Sequence, residues 1–63
     1  MKLTPKQQKF ADYYIELGNA TEAYLKAYPN VKKETTARAN GSRLLTNANV
    51  SRYIDERMEE LKS

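Results

Sequence analysis

Apolar residues recur along the chain at the three- and four-residue spacings of amphipathic α-helices, and no segment alternates apolar and polar residues as a strand would. This pattern predicts four helices, at about residues 5–17, 20–28, 34–46 and 48–61. Only two glycines and two prolines are available to interrupt them. The predicted fold class is therefore all-α, with four short helices in a single domain of residues 1–63.

Capping residues mark where the first two helices should begin and end. Thr4, followed by Gln7, has the pattern of a capping box. Gly18 is a natural left-handed terminator of the first helix, and Asn19 is a good N-cap for the second. Pro29 should end the second helix and open a turn, since the residue before a proline disfavours helix.

Each predicted helix carries a stripe of apolar or small residues that we expect to face a shared core. Gly41 lies on this stripe in the third helix, where it would let another helix approach closely. The expected inward-facing residues are Phe10, Ala11, Tyr14 and Leu17 in the first helix; Ala20, Ala23, Tyr24, Ala27 and Tyr28 in the second; Ala37, Gly41, Leu44, Leu45 and Ala48 in or next to the third; and Val50, Tyr53, Ile54, Met58 and Leu61 in the fourth.

The predicted third helix has a second, polar face that a core does not explain. A short turn joins it to the second helix, which is the organisation of a helix-turn-helix. Short side chains let a helix enter the major groove of DNA, arginines can bind guanine or phosphate, and lysines at the turn would meet the DNA backbone. The candidate DNA-binding residues are Lys32, Lys33, Thr35, Thr36, Arg38, Ala39, Ser42 and Arg43.

The charge distribution supports an anionic partner for this central segment. From Lys26 to Arg52 there are six basic residues and one acid, a local net charge of +5 within a chain of net charge +3. A simpler interpretation is an ordinary solvated surface, on which threonines, serines and a lysine pair are common. The five tyrosines could stack on bases, but their helical spacing favours the core and its rim. The turn, the two-faced helix and the charge together favour DNA.

The composition argues against an enzyme. Without histidine or cysteine the chain lacks the usual general base and the commonest zinc ligands. It has no glycine-rich phosphate loop, and the acids at Asp55, Glu56, Glu59 and Glu60 have the spacing of one solvated helix face. We expect no catalysis, no cofactor and no metal. With no apolar run long enough for a membrane span or signal peptide, we expect a soluble intracellular protein.

Two segments resemble bacteriophage terminase small subunits. The first comprises residues 3–10, Tyr14 and residues 19–24, and the second comprises residues 42–50 followed by Tyr53 and Ile54. The resemblance covers nearly the whole chain, and it rests on the order and spacing of these motifs. It implies a helical helix-turn-helix domain that binds the viral packaging-initiation site. It also implies that the third helix, from Thr35 to Arg43, is the recognition helix.

The same resemblance implies partners and a location. They are double-stranded DNA and the terminase large subunit, which holds the ATPase and nuclease, in the cytoplasm of an infected bacterium. Because the chain ends soon after the fourth helix, we expect the DNA-binding domain alone, monomeric in isolation and part of a ring-shaped homo-oligomer in the full-length protein. The alternative is a protein-interaction or oligomerisation module that uses exposed tyrosines and the fourth helix.

Overall fold

A computed structural model describes residues 3–62, which form four α-helices and no strand. The helices are α1 (Pro5–Leu17), α2 (Ala20–Ala27), α3 (Glu34–Leu45) and α4 (Ala48–Lys62). The prediction of an all-α fold with four helices is confirmed. The observed helix ends differ from the expected ones by at most one residue.

Local hydrogen bonds explain why the helices begin and end at these positions. The Gln7 N–H donates to Thr4 Oγ1 and the Thr4 N–H donates to Gln7 Oε1, both at 3.1 Å, so the capping box is present. Gly18 has the left-handed φ of 68° expected of a terminator. Tyr28, expected in α2, lies just outside it with ψ of 77°, because Pro29 follows and disfavours helical backbone before it.

The core lies where α2 packs against both α1 and α3, and α4 closes over α1 and part of α3. Phe10 and Val50 are the largest fully buried side chains. The Phe10 ring meets the Tyr24 ring edge-on at 6.2 Å between centroids. This contact joins α1 to α2. The buried core residues are Phe10, Ala11, Ala23, Tyr24, Ala27, Ala37, Val50 and Ile54.

The prediction that Leu17, Met58 and Leu61 face the core is wrong. Their side chains are 40%, 47% and 67% exposed, respectively. Leu17 is the last residue of α1, where the chain turns away towards α2. The buried residues of α4 are Val50 and Ile54, both in the first half of that 15-residue helix. Its apolar periodicity thus continues beyond the part of the helix that the other three can cover.

The inner face of α3 is also shifted from its expected position. Ala37 and Gly41 are the buried residues of α3, whereas Leu44 and Leu45 are only half-buried. At about 100° per residue, the two leucines lie on either side of the line through Ala37 and Gly41, at the edges of the contact. Ala48, expected to face inward, is an exposed residue in the first turn of α4.

Gly41 lets α3 approach the backbone of α2, as the sequence predicted. A Cβ atom at this position would lie 2.9 Å from the Ala20 carbonyl oxygen, closer than ordinary Cβ contacts allow. A hydrogen bond of 3.2 Å from Asn40 Nδ2 to Tyr24 Oη also joins the two helices. These contacts fix the position of α3 relative to α2.

The connection between α1 and α4 is polar as well as apolar. The Tyr53 hydroxyl on α4 donates a 2.7 Å hydrogen bond to the Asp12 carboxylate on α1. This bond, with a smaller contribution from burial, raises the pKa of the Tyr53 phenol above its ordinary value. At the start of α4, Asn47 Oδ1 accepts from the N–H groups of Asn49 and Val50 and so caps the helix.

Candidate nucleic-acid interface

The outer face of α3 consists of short side chains flanked by arginines. Ala37 marks the buried side of the helix. At about 100° per residue, Thr35, Ala39 and Ser42 lie near the opposite side, with one arginine on each flank. All eight residues predicted to bind DNA are exposed: Lys32, Lys33, Thr35, Thr36, Arg38, Ala39, Ser42 and Arg43.

The connection between α2 and α3 brings two lysines to the first turn of α3. Residues 28–33 form this connection, and a hydrogen bond of 3.0 Å from the Val31 N–H to the Tyr28 carbonyl tightens it. Lys33 is the extended N-cap residue of α3, and its side chain makes no capping hydrogen bond. The first-turn N–H groups of α3 therefore share one end of the helix with two lysine side chains.

The two flanks of α3 differ in charge. Arg38 lies 3.6 Å from the Glu34 carboxylate one turn earlier, and both side chains are largely exposed. Within residues 3–62, no carboxylate lies within ion-pair distance of Arg43. Exposed ion pairs contribute little to stability, but Glu34 still offsets part of the positive charge on its flank. The Arg43 flank is the more strongly basic of the two.

A groove of about 280 Å³ lies beside Arg43. We call it the Tyr28 groove; its lining residues are Tyr24, Tyr28, Asn40, Arg43 and Leu44. The Tyr24 and Tyr28 rings are stacked with centroids 4.2 Å apart. Burial, and secondarily the neighbouring Tyr24, raise the pKa of the Tyr28 phenol above its ordinary value.

Sequence reasoning missed Tyr28 and Asn40 as part of this surface. Tyr28 lies on the apolar stripe of the predicted second helix, and nothing in its spacing distinguishes a core-rim tyrosine from one that lines a groove. Asn40 offered a weak signal, because an amide at the boundary between the two faces of α3 needs a polar partner. The structure supplies that partner in Tyr24, which is distant in the sequence.

The acids of α4 form no comparable site. Asp55, Glu56, Glu59 and Glu60 are all exposed and line an open groove along one helix. Among residues 3–62, no group of three or more histidine, cysteine, aspartate or glutamate side chains could hold a metal ion. Over the same residues, each helix is too short or too polar to span a bilayer.

The fold and this surface define a class: an all-α domain of four helices whose third helix, α3, exposes a polar face flanked by arginines. The model of one protein family, described as terminase small subunit, matches residues 3–63. The chain therefore belongs to the terminase small subunit family.

Two relatives that match this chain are longer proteins. It is 44% identical over 61 residues to a terminase small subunit of Staphylococcus phage 80alpha; the match covers 95% of this chain and 40% of that protein. It is 50% identical over 62 residues to an uncharacterized protein of Haemophilus influenzae, covering 95% of this chain and 34% of that protein. The chain thus spans well under half the length of these relatives. No solved structure matches it.

Proposed function

We propose that this chain is a DNA-binding domain of a phage terminase small subunit and that it recognises viral DNA at the packaging-initiation site through α3. The observation that carries the proposal is the two-faced character of α3. Its buried side is the small residues Ala37 and Gly41, and its outer side is short polar residues flanked by Arg38 and Arg43.

The dimensions of the major groove explain why short side chains support this proposal. The groove is about 12 Å wide, and an α-helix with its side chains is about 10–12 Å across. Thr35, Ala39 and Ser42 would let the α3 backbone approach the base edges closely. Arg38 and Arg43, on the two flanks, would reach phosphates or the edges of guanines.

The beginning of α3 would add contacts to the DNA backbone. A helix N-terminus attracts phosphate through its free N–H groups and its dipole. No side chain caps this end of α3, and Lys32 and Lys33 precede it. We assign these two lysines to phosphates, which give affinity and orientation, and the outer face of α3 to base edges.

In the proposed packaging role, DNA binding by this domain would help recruit the terminase large subunit. We assign contacts with that subunit, and assembly into a ring, to the additional sequence that longer relatives have. The isolated chain would be a monomer with an affinity of about 10⁻⁴–10⁻⁶ M, typical of non-specific binding. Tethering several such domains in a ring would raise avidity by about 10²–10⁴. The site of action would be the cytoplasm of the infected bacterium.

A second candidate function, docking of another protein, is favoured by one observation. Met58 and Leu61 on α4 are large apolar side chains that remain exposed. Apolar packing and phosphate binding respond differently to salt, since only the latter releases counterions. Salt dependence therefore separates the two candidates.

We expect the affinity of the chain for double-stranded DNA to fall steeply with salt. If about four phosphates are neutralised, the slope of log affinity against log salt concentration should be about −3.6. Fluorescence anisotropy with a labelled duplex at several salt concentrations would measure it. A slope near zero would contradict the proposed function and favour the docking function.

We expect Arg43→Ala and Lys33→Ala to weaken DNA binding without unfolding the domain. Both side chains are exposed, so the free energy of unfolding should change by no more than about 0.5 kcal/mol. Arg57→Ala on α4 is a matched control because it removes an exposed arginine away from α3. Anisotropy would measure binding, and thermal denaturation followed by circular dichroism would measure stability. Equal losses of affinity for Arg43→Ala and Arg57→Ala would count against α3 as the DNA-binding element.

A further inference from the structure

We propose that the Tyr28 groove is a second DNA contact, which holds one phosphate and deoxyribose of the strand that passes the Arg43 flank of α3, with Lys6 of α1 as an additional phosphate ligand. This inference rests on the proposed function. It extends the DNA-binding surface beyond α3 to residues contributed by α1 and α2. It concerns the backbone of the DNA, so it predicts affinity without sequence preference.

The position of Lys6 is the first support for this inference. Its Nζ atom lies 5.5 Å from the centroid of the Tyr28 ring. Because Tyr24 stacks on one face of Tyr28 at 4.2 Å, the ammonium group is on the other face. Lys6 of α1 thus contacts Tyr28, which lines the groove together with Arg43 of α3, although Lys6 is not itself a lining residue.

The chemistry of the lining is the second support. Arginine and lysine bind phosphate, and tyrosine and leucine side chains offer apolar surface to a deoxyribose. Asn40 uses one N–H of its amide to bond Tyr24, and the second N–H can donate to a phosphate oxygen. None of the lining residues is acidic.

The position of the groove relative to α3 is the third support. Asn40 and Arg43 are three residues apart, so both lie on the same flank of the helix. When the centre of the outer face points at the base pairs, this flank points at the backbone of one strand. The opposite flank carries Glu34 beside Arg38 and is the less favourable side for a buried phosphate.

Lys6→Met, compared with Lys26→Met, tests the inference. Methionine keeps an unbranched apolar stem and removes the charge. Lys26 is a matched control because its Nζ also lies over a tyrosine ring, that of Tyr13, at 5.9 Å. It is exposed and two residues from Tyr24 on α2, about 200° around the helix and therefore away from the groove.

We expect Lys6→Met to make the salt slope shallower by about 0.9 and to lower affinity about eightfold at about 0.1 M salt, equally for duplexes of different sequence. Lys26→Met should change affinity less than about twofold, since it alters only the long-range field. Equal effects of the two variants, or no effect of either, would overturn the inference. Circular dichroism would verify that both variants are folded.

A nuclear magnetic resonance titration of the unaltered chain provides an independent measurement. The side-chain amide signals of Asn40 should shift when duplex DNA is added, together with the backbone signals of α3. If the backbone signals of α3 shift but the Asn40 side-chain signals do not, the groove does not contact DNA. The proposed function of α3 would then still stand. If the unaltered chain binds no duplex at any salt concentration, the proposed function itself fails.

Discussion

Phe10→Ala should leave a large fraction of the protein unfolded at 25 °C. Phe10 is fully buried and contacts Tyr24 of α2 as well as Tyr14 of α1. Replacing a buried phenylalanine with alanine costs about 3–5 kcal/mol. The whole free energy of unfolding of a chain of this length is about 3–9 kcal/mol, so the loss is comparable to the total. Urea denaturation followed by circular dichroism at 222 nm would measure it.

Leu61→Ala is the control for that experiment. It also removes a large apolar side chain, but Leu61 is 67% exposed, so the change in unfolding free energy should be within about 0.5 kcal/mol. If Leu61→Ala destabilised the domain as much as Phe10→Ala, the distal half of α4 would be part of the core in solution and our account of burial would be wrong.

Ala39→Glu should cause a larger loss of DNA affinity than Arg43→Ala, Lys33→Ala or Lys6→Met. Ala39 is exposed near the centre of the outer face of α3, where a longer acidic side chain would meet the groove. Like charges brought together at an interface cost several kcal/mol, and about 2 kcal/mol already corresponds to a roughly 30-fold weaker affinity. Folding should be unaffected, since glutamate is a good helix former. Anisotropy at low salt would measure the loss.

Ala48→Glu makes the same substitution at another exposed alanine, in the first turn of α4. A glutamate there interacts favourably with the helix dipole, so the fold is preserved. The net charge changes identically in the two variants. A similar loss of affinity in both would mean that overall charge, and not the outer face of α3, controls DNA binding.

The helix ends were predictable from sequence because they depend on interactions between residues close in the chain. The capping box at Thr4 and the left-handed Gly18 each require only their immediate neighbours. The close approach at Gly41 was also predictable, since glycine on the inner stripe of a helix has few other uses. The fold class can be predicted from such local signals when every segment indicates the same kind of secondary structure, here an α-helix.

Burial was less predictable because it depends on how far the helices overlap. Met58 and Leu61 continue the three- and four-residue apolar spacing that begins with Val50 and Ile54. Of these four residues, only Val50 and Ile54 are buried by the other helices. Leu44 was expected in the core and is half-buried, because two small residues, Ala37 and Gly41, form the closest contact of α3. Apolar periodicity predicts which face of a helix is buried, but it does not predict how much of that helix the neighbouring helices cover.

The candidate site also has one part that the sequence predicts and one part that depends on how the helices pack. The outer face of α3 follows from the spacing of residues within one helix, so its exposure could be anticipated from the sequence. The Tyr28 groove could not, because Lys6 lies in α1, Tyr28 in the connection after α2 and Arg43 in α3. Only the packing of the helices brings Lys6 over the Tyr28 ring and places Tyr28 and Arg43 in one groove. A single sequence contains no signal for such a meeting when each residue also has an ordinary explanation.

The two faces of α3 also determine how this protein could change its target over evolution. Residues that hold α3 in place, such as Ala37 and Gly41, are different from those proposed to read DNA. In a deep mutational scan, substitutions should therefore fall into two classes. One class would reduce protein abundance, and the other would reduce selection of the DNA target at normal abundance. Under the proposed function, new binding preferences could then arise through changes at Thr35, Ala39 and Ser42 with no compensating change in the interior, so relatives could diverge in the DNA they prefer while sharing one scaffold.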